Sequence, residues 1–139
     1  MPKPAINRTS LTLADLLFSV GLALLLTHEM DAMTHTEWRI LPVLSWLRES
    51  SGLVWFVVLH VPIYTIILWL LASTSSIIRW RAQAGTDLFL LLHAGLHTLF
   101  SSHSEYTFEG LMSYSLIYGA GLFGLLHLLL LLQKRRSAH

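Results

Sequence analysis

LVWFVVLHVPIYTIILWLLA, residues 53–72, runs for twenty residues without one Asp, Glu, Lys or Arg. A helix rises ~1.5 Å per residue, so this stretch matches the ~30 Å hydrocarbon core of a bilayer. It reads as a membrane span, and it has company. Apolar runs also extend from Leu11 to His28, from Leu88 to Phe100 and from Leu111 to Leu132. The third is short and is interrupted by two histidines. It reaches spanning length only by taking in Ala84–Asp87 or Ser101–Ser102, and a re-entrant segment is the alternative. The pattern predicts an all-α four-helix transmembrane bundle, one domain over residues 1–139, with spans at about 11–28, 53–73, 86–102 and 111–132.

Composition agrees. Only 12% of the 139 residues are charged and 54% are hydrophobic. A soluble domain carries about 25% charged residues to cover its surface. A net charge of +1 gives no basic patch for nucleic acid. The absence of cysteine excludes disulfides, thiolate metal sites and a cysteine nucleophile. The first run follows a basic N-terminal region, as in a signal peptide. His-Glu-Met-Asp follows its apolar core in place of small residues, so it reads as an uncleaved first span.

Helix punctuation fits the spans. Thr12 and Asp15 suit a capping box ahead of the first. Thr86 and Asp87 suit a cap on the third. Gly52 and Gly110 stand as breakers before the second and fourth. With four spans, Lys3, Arg8, Arg79, Arg81, Lys134, Arg135 and Arg136 fall on one side. Arg39 and Arg48 share the other with Glu29, Asp31, Glu37, Glu49, Glu105 and Glu109. The positive-inside rule then places both termini in the cytoplasm, as expected for a multi-pass protein of a bacterial inner membrane. Trp38, Trp46 and Trp55 lie near the outer boundary and Trp80 near the inner one, as aromatic belts require. Thr36–Ser50, TEWRILPVLSWLRES, mixes apolar and charged residues around Pro42. It predicts a short amphipathic helix, or two, lying in the interface between helices 1 and 2.

The chemistry-bearing residues are histidines with acidic neighbours. His28, Asp31 and His35 are spaced i, i+3, i+7 and share a face if helix 1 runs past the membrane surface. His93 and His97 are spaced i, i+4, which lets two imidazoles grip one ion. His60 lies deep in the second span, two residues before Pro62, which frees the carbonyl of Val58. At ~1.5 Å per residue these groups converge on the outer half of the bundle. Ionisable residues in spans are rare and mark function. The predicted metal set is His28, Asp31, His60, His93 and His97, with His60 facing His97. Glu29 and Glu37 are the candidate catalytic carboxylates. His127 falls near the inner end and reads as a structural histidine bonded within the bundle. His35 and His103 read equally well as solvated interface residues. His139 is terminal and is set aside. Ser113, Ala120 and Gly124 form a small-residue stripe suited to close helix contact. There is no P-loop, no G-x-S-x-G and no H-E-x-x-H.

HEMDA at 28–32, EWR at 37–39, HVP at 60–62 and LHAGLH at 92–97 together resemble a family of small bacterial four-helix membrane proteins, a domain of unknown function. Its pattern is His-Glu-(Leu/Met)-Asp-Ala, then Glu-Trp-Arg, then His-x-x-x-His. The resemblance covers about Leu11 to Leu130. It falls on His28, Glu29, Asp31, Glu37, Trp38, Arg39, His60, His93 and His97. The family pattern has a histidine directly before Glu-Trp-Arg; here Thr36 holds that place, with His35 beside it. The resemblance implies a fold and no activity. The histidine boxes are also weakly similar to those of membrane di-iron oxygenases, which carry more histidines on longer chains.

Two functional readings remain open. In the first, the protein is a membrane metalloprotein, as a hydrolase or oxygenase acting on a lipid-like substrate. Zinc would activate water and iron would activate oxygen. Asp31 or Glu29 would add a ligand or a base, and Glu37 with Arg39 would rim the site. In the second, it is an accessory subunit of a respiratory or photosynthetic membrane complex. There it would bind haem b or a chlorophyll-type pigment through histidine, or be purely structural. The partners expected are the lipid bilayer and other membrane subunits or further copies of the chain, and no nucleic acid.

Overall fold

A computed structural model describes residues 11–47 and 49–137. Lys3, Arg8, Arg48 and His139 lie outside the described residues. The described chain is helical and contains no strand. It comprises α1 (Leu13–Thr34), a single 3-10 turn (Glu37–Arg39), α2 (Glu49–Leu71), α3 (Ser76–Phe100) and α4 (Leu111–Arg136). Three of these, α1, α2 and α4, are long and apolar enough to cross a membrane.

α1 begins as its sequence requires. The Thr12 side chain accepts from the Asp15 amide, and the Asp15 carboxylate accepts from the Thr12 amide. Two of the orphan donors at the helix start are thereby met. α3 departs from expectation. It starts at Ser76 behind an N-cap at Ser75, ten residues before the predicted span. Thr86 and Asp87 are therefore not caps. Both are buried in mid-helix. Ser-Ile-Ile-Arg-Trp-Arg has no helix breaker, so the helix simply continues through it. Arg81 stays exposed, and so does Arg79, whose guanidinium donates to the carbonyls of Ser73 and Thr74.

α4 is the centre of the packing. α1 and α3 lie along it, whereas α2 touches its neighbours only lightly. α3 approaches closely. A Cβ on Gly121 would lie 2.9 Å from the Ala94 Cβ, and one on Gly124 would lie 3.0 Å from Leu90. Leu25, Leu90 and Ala120 fill the middle of the bundle. α2 buries only Gly52 and Phe56 and leaves a continuous apolar face outward.

Gly52 is inside α2, not before it, so it does not act as a breaker. Its role is space: a Cβ there would land on the indole of Trp38. Trp38, expected at an interface, is 3% exposed and packs on Phe56. With Ile40, Leu44, Phe108 and Ile117 it forms a second core that closes the end of the bundle where the α1–α2 and α3–α4 connections meet. Arg39 straps this end together, 2.8 Å from Glu49 and 3.0 Å from Glu105. The amphipathic segment thus folds onto the bundle. Its regular helix is only the 3-10 turn, followed by turns through Pro42.

Candidate metal centre

The site is built by three elements. α1 carries His28 two turns from its end. Thr36 then adopts a left-handed conformation, φ 52°, which reverses the chain tightly. The reversal swings Glu37 back over the helix it has just left. His93 and His97 come from one face of α3, as their i, i+4 spacing requires.

His28, Glu37, His93 and His97 are all buried, and one ligand atom from each lies within 4.8 Å of the others. Glu37 bridges the group: its carboxylate is 3.5 Å from His28 Nε2 and 3.6 Å from His97 Nε2. The ring centroids of the three histidines are 4.7 to 4.9 Å apart. Tetrahedral ligands at ~2.1 Å from one zinc are ~3.4 Å apart, so the Glu37 distances already suit a common ion. They are long for hydrogen bonds. Accordingly His28 Nδ1 and Nε2, His93 Nε2, His97 Nε2 and Glu37 Oε2 are buried with no hydrogen-bond partner among the described residues. Each such group costs ~1–3 kcal/mol when left unmet. Four of them, one nitrogen from each histidine and the Glu37 oxygen, would be met by a single metal ion, and the donor set fits one.

Electrostatics agree. Burial alone would raise the Glu37 carboxyl, but the imidazoles of His28 and His97, with the field of His93, outweigh it and hold it at about 2. The carboxylate is thus ionised and would offset the charge of a cation. His97 is oriented from behind. Its Nδ1 lies 3.2 Å from the Tyr106 hydroxyl, and burial pushes that hydroxyl up to about 12, so it stays neutral. Nδ1–H donating to Tyr106 leaves Nε2 free for ligation. Phe108, 1% exposed, covers His28 and His97. A cavity of about 30 Å³ adjoins the group, walled by Glu37, Ile40, Leu41, His93, Leu96 and His97, with Phe100 completing it.

The other predicted residues lie elsewhere. His60 does not face His97. Its Nε2 lies 2.9 Å from Glu29 and its Nδ1 2.6 Å from the Phe56 carbonyl. The Phe56 carbonyl, one turn back on α2, takes the ring. The reason is rotation: Glu29 follows His28 by ~100° around α1 and points to α2, away from α3. Asp31 is buried one turn beyond His28 and faces His35 at 3.5 Å. His35 also meets Thr107 and Ser113. Glu37 is the ligand-side carboxylate that spacing could not place, because a non-helical reversal sets its position. Tyr106 and Phe108 carried no sequence signal. At the opposite end, His127 Nδ1 bonds Asp87 Oδ2 at 2.7 Å, fully buried, with Phe18 against the ring.

Residues 14–134 match a family model described as a family of unknown function, DUF6713. Comparisons with curated proteins and with solved structures give no match. The family match spans nearly all of the described chain, and the protein belongs to DUF6713.

Proposed function

We propose that this protein is a membrane metalloprotein holding one zinc or iron ion through His28, His93, His97 and Glu37. The observation that carries the reading is the convergence of these four buried groups within 4.8 Å. Three imidazoles and a carboxylate, without thiolate, suit zinc or iron(II). Asp31 and His60 stand outside this set. The adjoining cavity of about 30 Å³ accommodates a water or dioxygen-sized ligand and no lipid headgroup. A small inner-sphere ligand is therefore favoured over hydrolysis of a lipid at the ion. A haem is disfavoured, because the three rings touch one another and leave no slot for a macrocycle.

The bilayer is the environment that α1, α2 and α4 require. With α3, which packs along α4, counted as the fourth crossing, the seven basic residues near the two termini and in the first turns of α3 support a bacterial plasma membrane with both termini cytoplasmic. The metal centre then lies in the outer half. Reporter fusions at each end test this orientation, and a periplasmic signal from either overturns it.

Metal analysis of protein purified without chelators tests the site. About one ion per chain is expected, and a visible spectrum separates colourless zinc from iron. Absence of metal, or an unchanged content in the His28→Ala/His93→Ala variant, overturns the proposal.

A further inference from the structure

His60 and Glu29 are membrane-embedded ionisable residues that the metal centre does not use. They meet in a groove of about 270 Å³ between α1 and α2. One wall is Leu26, Glu29, Met30 and Met33 of α1. The other is Phe56, Val57, His60, Val61 and Tyr64 of α2. His60 stands at the middle of α2, and beyond Gly52 and Phe56 no residue of α2 is fully buried. Whatever enters this groove comes from the hydrocarbon.

The α2 wall is a ladder of rings at i, i+4, i+8. Phe56 and His60 centroids are 4.7 Å apart, and those of His60 and Tyr64 are 5.2 Å apart. Met30 and Met33 face it with soft, adaptable thioethers. Such walls suit a flat head. The hydrogen-bonding inventory is equally specific. Both nitrogens of His60 are engaged, by Glu29 and by the Phe56 carbonyl. His60 therefore presents a ring face and fixes one oxygen of Glu29. A carboxylate has a second oxygen that accepts. The Tyr64 hydroxyl is buried and has no partner among the described residues, an expensive condition in an apolar setting. A head that donates to Glu29 and also pairs with Tyr64 carries a polar hydrogen, which a phenolic hydroxyl supplies in the plane of a flat ring.

We infer that the α1–α2 groove binds a membrane-soluble molecule with a flat hydroxylated head and an apolar tail, a quinol or related phenol, at Glu29, His60 and Tyr64. An acyl chain alone would make no hydrogen bond to Glu29 or Tyr64. A charged headgroup would find no water. The volume approaches the ~300 Å³ lower end of ligand pockets, enough for one ring and the start of its tail.

The test uses the full chain in lipid nanodiscs with a radiolabelled decyl-tailed hydroquinone, empty discs being subtracted. Saturable binding near one molecule per chain is expected, displaced by the unlabelled quinol but not by 1-decanol or decylbenzene. Tyr64→Phe and Glu29→Gln should each weaken it about tenfold, the effect of one hydrogen bond. Both should keep wild-type helix content and metal content. No saturable binding overturns the inference. So does equal displacement by decanol or decylbenzene, which would mean that the groove reads the tail. Tyr64→Phe retains the ring, so unchanged affinity in that variant overturns it even where Glu29→Gln disturbs the fold.

Discussion

His28 Nε2 and Glu37 Oε2 stand 3.5 Å apart, from a helix and from the turn that doubles back over it. Nine residues separate them in the chain, and a helix continued without a break would carry them ~13 Å apart along its axis. The left-handed Thr36 converts that separation into contact. Substitutions in His28 and Glu37 should therefore act as one unit. His28→Ala, His97→Ala and Glu37→Ala are each expected to abolish stoichiometric metal, whereas His60→Ala leaves it near one ion per chain. Tyr106→Phe, which removes only the orienting hydroxyl, should weaken metal affinity about 10-fold to 100-fold. Metal loss in His60→Ala equal to that in His97→Ala would refute this assignment.

Metal affinity should fall in acid. An imidazole ligates only when neutral, so protons compete at His28, His93 and His97. Affinity is expected to fall progressively as pH is lowered from about 8 to about 5. Glu37 is held at about 2 and stays ionised across that range. Its own contribution to stability is full above its ordinary value of 4.5 and is lost only as pH falls from there toward about 2. Metal titrations between pH 5 and pH 8 check the first limb, and a flat profile contradicts histidine ligation.

Gly52→Ala should destabilise the connection end. The added Cβ meets the Trp38 indole, which can move only by disturbing Phe56 and the turn that carries Glu37. Overpacking of this kind costs ~1–3 kcal/mol. A lowered melting temperature, altered tryptophan fluorescence and weakened metal binding are expected together. Wild-type values in all three would show that the indole has room to shift.

The Asp87–His127 pair should show non-additivity. Asp87→Ala leaves a buried imidazole without its partner, which is worse than removing both polar groups. The double replacement Asp87→Leu/His127→Leu is expected to melt closer to wild type than Asp87→Ala does. Additive losses would mean that the 2.7 Å bond contributes nothing of its own.

Much of the architecture was legible from the chain alone. Uncharged runs of spanning length, the Thr12–Asp15 box and the His93/His97 spacing are local features, decided by rise per residue and by side-chain direction within one helix. They named the helices, the capping of α1 and two members of the candidate site. What spacing could not determine was which faces of different helices meet. His28 and Glu29 are neighbours in sequence, yet ~100° of helical rotation sends one to α3 and the other to α2. His60 lies at a plausible depth for the metal group, but α2 sits at the edge of the bundle and turns its histidine to Glu29. Thr86 and Asp87 look like a cap by residue type, yet α3 has already begun at Ser76. Asp87 is free to meet His127, forty residues on. Glu37 enters the site through a single left-handed residue. Depth and periodicity are one-dimensional properties that the sequence carries. The azimuth of a helix about its axis is set only by packing between helices, as where Gly121 and Gly124 of α4 receive Ala94 and Leu90 of α3.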